Sequence, residues 1–254
     1  LWIRRRLKNI NKKTMITTNS SIDLRKKIVS EVATSKNLTG VRAQVVLVLD
    51  RSGSMEHLYK SGFVQRLLER LVPVAMQFDD NGEMEMYLFQ NNVVRHDKNI
   101  NEKNVDGLIN REITENRYSY GGTAYAPPIN QIVKDYVQFE KKSGLFGLGK
   151  STANAVDPVY VIFITDGENS DRPAAEKAII EASKYGIFFQ FVGIGNASFQ
   201  FLDALDTMQG RTVDNANFFQ ANDLNSIPDE ELYERLLNEF PDWIQKARNL
   251  SIIK

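Results

Sequence analysis

Residues 45–49, Val-Val-Leu-Val-Leu, form an unbroken apolar run that ends in Asp50 and passes at once into Arg-Ser-Gly-Ser. An apolar stretch of this length without alternation predicts a strand buried on both faces, and so a mostly parallel sheet covered by helices on either side. A second run at 159–165, Val-Tyr-Val-Ile-Phe-Ile-Thr, ends the same way, in Asp166-Gly167, where the glycine permits a sharp turn. Open parallel sheets place their ligands at the carboxyl ends of their strands, so each aspartate stands where a site is expected. If the two strands are neighbours, the carboxylates lie about 5 Å apart in backbone spacing. At that separation each raises the pKa of the other, and a divalent cation between them relieves the repulsion.

Hydroxyls complete the constellation. Ser52 and Ser54 follow Asp50 in the spacing Asp-x-Ser-x-Ser, and Gly121-Gly122-Thr123 offers a third hydroxyl in a glycine loop ahead of a predicted helix. An all-oxygen donor set suits a hard divalent cation. One Asp-x-Ser-x-Ser alone would serve equally well to cap the next helix. With Thr123 and Asp166 added, the metal reading is the stronger. Asn169 and Asp171 are expected to orient ligands or cap the following helix rather than touch the ion. Gly122, Tyr118 and Tyr120 are expected at the rim. His57 and His96 lie on no motif and are expected to be ordinary surface or loop residues.

The order Asp-x-Ser-x-Ser, threonine in a glycine loop, then a strand ending Thr-Asp-Gly resembles the von Willebrand factor A (VWA) domain over residues 40 to 225. The resemblance implies a Rossmann-like α/β fold and a metal-ion-dependent adhesion site. It makes Ser52, Ser54 and Thr123 hydroxyl ligands, with Asp50 and Asp166 binding directly or through water. The sixth position is then left for an aspartate or glutamate of a protein partner. A narrower resemblance is to the bacterial tellurium-resistance VWA proteins of the TerF and TerY kind. It is carried by residues 49–55 (Leu-Asp-Arg-Ser-Gly-Ser-Met), 59–65 (Tyr-Lys-Ser-Gly-Phe-Val-Gln), 166–169 (Asp-Gly-Glu-Asn) and 239–243 (Glu-Phe-Pro-Asp-Trp). It implies a cytoplasmic scaffold in tellurium resistance or a wider stress response.

The 254 residues fit one large α/β domain with appendages. The absence of cysteine excludes disulfides, thiolate metal sites and direct thiol reduction of tellurite. No apolar stretch is long enough to span a bilayer. The formal charge of zero conceals an asymmetry. Six basic residues and no acidic one fall in 1–14, leaving an acidic excess of six in the remainder. That acidity argues against nucleic acid as a primary partner. The leader itself has the charge of a nucleic-acid arm or membrane tether. The preferred reading is that Met15 is the true start, or that 1–14 is a linker from an upstream domain. No apolar core follows it, so a secretory signal is not expected.

The pattern divides into a leader (1–22), a lead-in segment (23–43) with a helix at 24–33 capped by Ser21 or Asp23, a VWA domain (44–225) and a C-terminal helical extension (226–254). Strands are predicted at 44–49, 83–89, 93–95, 159–165, 187–192 and 217–219. The third is an antiparallel edge strand after the Asn91-Asn92 turn. Helices are predicted at 63–78, with a kink or break near Val72 ahead of Pro73, and at 105–113. Others follow at 125–139, with Pro127 and Pro128 in the first turn, and at 172–185, 200–208, 229–238 and 242–249.

One motif misleads. Residues 144–151, Gly-Leu-Phe-Gly-Leu-Gly-Lys-Ser, satisfy the P-loop pattern. A phosphate cradle needs a buried strand before it and a helix after it, and here a charged helical stretch precedes and a strand follows. The segment (about 142–157) is better explained as a glycine-rich insertion, with Leu145-Phe146 available as a docking tip. Enzyme chemistry is the alternative use of the oxygen cluster, in hydrolysis or phosphoryl transfer. Phosphatases of the haloacid dehalogenase type also begin with an aspartate at a strand end, but need a second one two residues on, where Ser52 stands. No general base is recognisable, and neither serine has an adjacent one. The expectation is a non-enzymatic, metal-dependent protein-binding module using Mg²⁺, Mn²⁺ or Ca²⁺. The remaining alternative is a VWA adaptor of an ATPase or chelatase complex. The native metal and oligomeric state stay open.

Overall fold

The computed structural model describes residues 21–114, 120–137, 157–224 and 226–254. Most of the basic leader, Tyr118 and nearly all of the glycine-rich insertion lie outside them.

Six strands form one sheet: β1 (Gln44–Asp50), β2 (Met84–Phe89), β3 (Val93–Arg95), β4 (Val159–Thr165), β5 (Ile187–Ile194) and β6 (Ala216–Ala221). Their order is β3-β2-β1-β4-β5-β6, parallel except for β3 at one edge. The unbroken apolar runs divide their side chains between two cores, as a doubly covered sheet requires. Val45, Leu47 and Leu49 of β1, with Met84, Met86, Tyr160 and Ile162, face one core. Val46 and Val48, with Tyr87, Phe89, Val161 and Phe163, face the other.

The first core is covered by α1 (21–35), α3 (Phe63–Phe78), α7 (Asp229–Leu236) and α8 (Phe240–Asn249). The second is covered by α4 (Ala126–Tyr136), α5 (Arg172–Ala182) and the short α6 (Gln200–Asp203). A further short helix, α2 (Glu56–Lys60), is separated from α3 by Gly62, whose φ of 73° turns the chain left-handed between them. The C-terminal helices are integral to the first core: Phe240 and Trp243 are buried, stack on each other and pack at a tilt against Phe188.

Several sequence expectations are corrected. Pro73 does not break α3, which runs as one helix of 16 residues; Leu71, Val72, Val74 and Ala75 around it are all buried, so packing holds the turn that lacks a donor. The helix expected at 105–113 is turns followed by a π-helix at Ile109–Thr114. Gln65 of α3 fixes this segment by accepting from Ile109 N–H at 2.9 Å and donating to Val105 C=O at 2.8 Å. The helix expected at 200–208 divides into α6 and a 3₁₀ turn, Leu205–Thr207. Strand β6 is longer than expected and parallel to β5. Asp23 lies inside α1 and pairs with Lys26 rather than capping the helix, and Ser21 is the first described residue of α1. His96 lies in the loop after β3, as expected, and is buried there.

Candidate metal centre

Strand order reverses between β1 and β4, which makes their carboxyl ends the topological switch point of the sheet. Both aspartates stand there. The register pairs Leu49 with Ile164. Continued by one residue, it sets Thr165, not Asp166, beside Asp50. The Thr165 hydroxyl donates to Asp50 Oδ2 at 2.6 Å. Asp50 Oδ1 accepts from Ser52 N–H at 2.6 Å, and Asp50 C=O from the buried Tyr59 hydroxyl at 2.8 Å. The Asp50 carboxylate is thus fully buried and held at both oxygens.

Asp166 turns the other way, into the serine loop. Its Oδ1 accepts from Ser54 Oγ at 2.7 Å and lies 3.5 Å from Ser52 Oγ, and the two hydroxyl oxygens are 3.0 Å apart. The glycine loop is tied alongside. Ser52 and Gly121 form an isolated parallel bridge, with Gly53 N–H donating to Gly121 C=O at 3.0 Å. Ala124 N–H donates to Gln90 C=O, and Ser170 N–H to Thr123 C=O at 2.9 Å. The loop passes so close to the β2–β3 turn that a Cβ at Gly121 would lie 2.1 Å from Gln90 Oε1, and one at Gly122 would lie 2.6 Å from Asn91 Oδ1. Thr123 therefore sits between backbone anchors on the Asp50 loop and on the loop after β4.

Over residues 42–253 the sequence matches the family described as vWA-TerF-like, vWA found in TerF C terminus. The chain belongs to the TerF-like von Willebrand factor A family. It is also similar to YcbR of Bacillus subtilis (strain 168), an uncharacterised protein, at 40% identity over 240 residues, 92% of this chain and 91% of that one. Among solved structures, proximal thread matrix protein 1 of the mussel byssus shares the fold, with a TM-score of 0.52, 16% identity and 78% of this chain covered. This chain spans 47% of the length of that one. A second structure of that mussel protein, described as having a zinc-occupied MIDAS motif, matches with a TM-score of 0.49, 14% identity, 79% of this chain and 46% of that one.

In this VWA domain the remaining candidate residues fall into two groups. Gly122 is exposed on the glycine loop, at the surface of the site. Tyr120 is half-buried, edge-on to Tyr59 with centroids 6.1 Å apart, and the Arg51 guanidinium lies 5.0 Å from its ring centre. Its ring thus packs beside Arg51 and Tyr59. Asp171 caps a helix, but not with its side chain the one it precedes: Oδ1 accepts from Tyr125 N–H at 2.9 Å and Oδ2 from Ala126 N–H at 2.8 Å, at the start of α4. Asn169 Nδ2 donates to Asp171 Oδ1 and steadies it. His57 Nδ1 lies 2.7 Å from Ser54 C=O.

Sequence reasoning passed over Thr165, Tyr59 and Tyr125. The Tyr125 hydroxyl donates to Gly167 C=O at 2.5 Å, and its ring is packed against Phe163 at 5.2 Å between centroids. The adjoining Phe89–Phe163 and Phe163–Phe191 pairs, each 4.8 Å, make an aromatic platform under the strand ends. The hydroxyl at the last position of a buried strand was the available signal for Thr165. The two tyrosines had none.

Burial pushes the Asp50 carboxyl up to about 6, and the neighbouring Asp166 charge adds to this, against hydrogen bonds from Thr165 and Ser52. Among the described residues no group of three or more His, Cys, Asp or Glu is placed to hold a metal. The donor set here is two carboxylates with hydroxyls, and it is all oxygen. A buried carboxylate raised by desolvation, beside a second carboxylate already within reach of two hydroxyls, fits a hard divalent cation. Among the described residues no helix is long and apolar enough to cross a membrane.

Proposed function

We propose that the chain is a metal-ion-dependent protein-binding module that holds one divalent cation, Mg²⁺, Mn²⁺ or Ca²⁺, through Asp50, Ser52, Ser54, Thr123 and Asp166. The observation that carries this is the convergence of Ser52 Oγ, Ser54 Oγ and Asp166 Oδ1 within 3.5 Å at the switch point of the sheet. Bound there, the cation would supply an electrophilic position for a carboxylate from a partner protein. The chain's own part is to hold the oxygens. Asp50 brings negative charge that water does not screen, Thr165 and Ser52 N–H fix its orientation, and mostly neutral hydroxyls leave the positive charge incompletely neutralised.

The same reading makes the chain a non-enzyme. The tyrosines beside the site donate to Asp50 C=O and Gly167 C=O, so neither hydroxyl is placed as a base toward Ser52 or Ser54. Family membership supports a cytoplasmic scaffold in tellurium resistance or general stress response. An adaptor of an ATPase or chelatase complex is the second reading, and the identity of the partner separates them. Calorimetric titration of chelator-treated protein with each cation tests the site. Saturable binding near one ion per chain is expected, abolished in Asp50→Ala and weakened in Ser54→Ala. A parent that binds no cation, or an Asp50→Ala variant that binds like the parent, would remove the basis of the reading.

A further inference from the structure

Asp166 has a second face. It forms part of the wall of a cleft of about 460 Å³ that runs from the metal-ligand cluster between the α2–α3 corner and the loops after β5 and β6. Its lining is mixed, and the apolar part comes from Phe63 and Ile194, whose side chains are mostly buried in the first core, and from Leu58, packed partly against that core. At the mouth stands Arg66, an exposed residue of α3. Its described hydrogen bond goes to the Ser61 carbonyl at 3.3 Å, and no carboxylate among the described residues is paired with it. The opposite wall is held in shape. Gln220 donates to Gly195 C=O at 2.8 Å and to Ala197 C=O at 3.0 Å, and Gly195 N–H donates to Ala221 C=O at 3.0 Å. A cleft with pinned walls loses little freedom when it is filled.

Resting on the protein-binding reading above, we infer that this cleft is the specificity subsite of the module. It takes an acidic–apolar segment of a partner protein. One carboxylate of that segment goes to the cation, an adjoining aliphatic side chain fills the space between Leu58, Phe63 and Ile194, and a second carboxylate pairs with Arg66. Continuity decides the arrangement: Asp166 is a candidate ligand and a cleft wall at once, so a chain anchored at the ion must lay its next residues along the cleft. Charge decides the composition. Arg66 favours a second acid on the α3 side, and Asp223 on the β6 side disfavours one there.

The probes are blocked tetrapeptides carrying one aspartate, flanked in turn by leucine, glutamate or glycine, titrated against the full chain in Mg²⁺ by chemical-shift mapping. The peptide with both leucine and glutamate is expected to bind at least about tenfold more tightly than the all-glycine one. Chelator should abolish both. Ala197→Trp narrows the cleft and Arg66→Glu reverses the charge at its mouth. Both positions are exposed, so both variants should fold and keep parental Mg²⁺ affinity while losing that tenfold preference. If the aspartate binds in Mg²⁺ but the flanking residues change nothing, the subsite assignment is wrong and the adhesion reading stands. If Mg²⁺ binds and no aspartate peptide does, the adhesion reading itself falls, and the subsite with it.

Discussion

In the proposed metal site Asp50 would have two jobs with opposing electrostatic demands. It lies wholly inside the protein, where ionisation is unfavourable, yet a cation ligand must be ionised. Its carboxyl rises from 3.8 to about 6 because burial and then Asp166 disfavour the charge. In chelator-treated protein the folded state therefore binds this proton more tightly than the unfolded state does. The difference favours folding at low pH and is lost as pH rises from about 4 to about 6, a change of about 3 kcal/mol. The comparison of parent with Asp50→Asn in urea unfolding across that range isolates it; parallel pH curves would refute it. Metal affinity follows the reverse course, because the proton competes for the same oxygens. Below about pH 6 the affinity should fall about tenfold per pH unit, and a flat affinity between pH 5 and 7 would show that Asp50 is not a ligand.

At the scale of elements, the site depends on caps and packing that come from distant parts of the chain. Asp171 accepts from the N–H groups of Tyr125, just before α4, and Ala126, its first residue, and so holds the end of the glycine loop that carries Thr123. Asp171→Ala leaves two donors without that partner and should lower stability by about 1–2 kcal/mol. It should also weaken metal binding about tenfold or more, as loss of a group that orients ligands does. Urea midpoints and metal titration on the same sample check both, and a stability loss with unchanged metal affinity would detach the cap from the site. Helix α8 presents a different test. Trp243 and Phe240 fill the core beneath β4 and β5, with Phe240 4.7 Å from Tyr160 between centroids. Trp243→Ala should cost about 3–5 kcal/mol in a single cooperative transition. An unmoved urea midpoint would mean that the C-terminal helices form a separate appendage.

On the scale of the whole molecule, one sheet divides the protein into two cores, and the cluster of oxygens sits where strand order reverses. No peptide bond links the three loops there, and backbone hydrogen bonds hold them together. A cation bound by all three is bound only by the folded chain, so its binding free energy adds to stability. At a cation concentration 100 times the dissociation constant the gain is about 2.7 kcal/mol, several degrees in melting temperature. Differential scanning calorimetry should show the rise in the parent and none in Asp50→Ala; equal shifts in the two would place the bound ion elsewhere.

The strands and the ligand types were legible in the sequence because both are local. Short apolar runs rich in β-branched residues, bounded by turn residues, read as buried strands, and hydroxyls spaced two residues apart on a tight loop lie close together. The same locality made β1 and β4 visible to within a residue and placed Asp50, Ser52, Ser54, Thr123 and Asp166 on one list before any contact was known. What depended on distance was not legible. Pro73 stays inside a helix because a core assembled from the whole chain holds its flanks. Asp171 caps α4, some 45 residues earlier in the sequence, and Thr165 rather than Asp166 lies beside Asp50 because strand register, which no local pattern encodes, sets the pair. The cleft between α3 and the β5 loop exists only once those elements have packed. Local patterning determined which atoms were available to the site, and tertiary packing decided which of them meet.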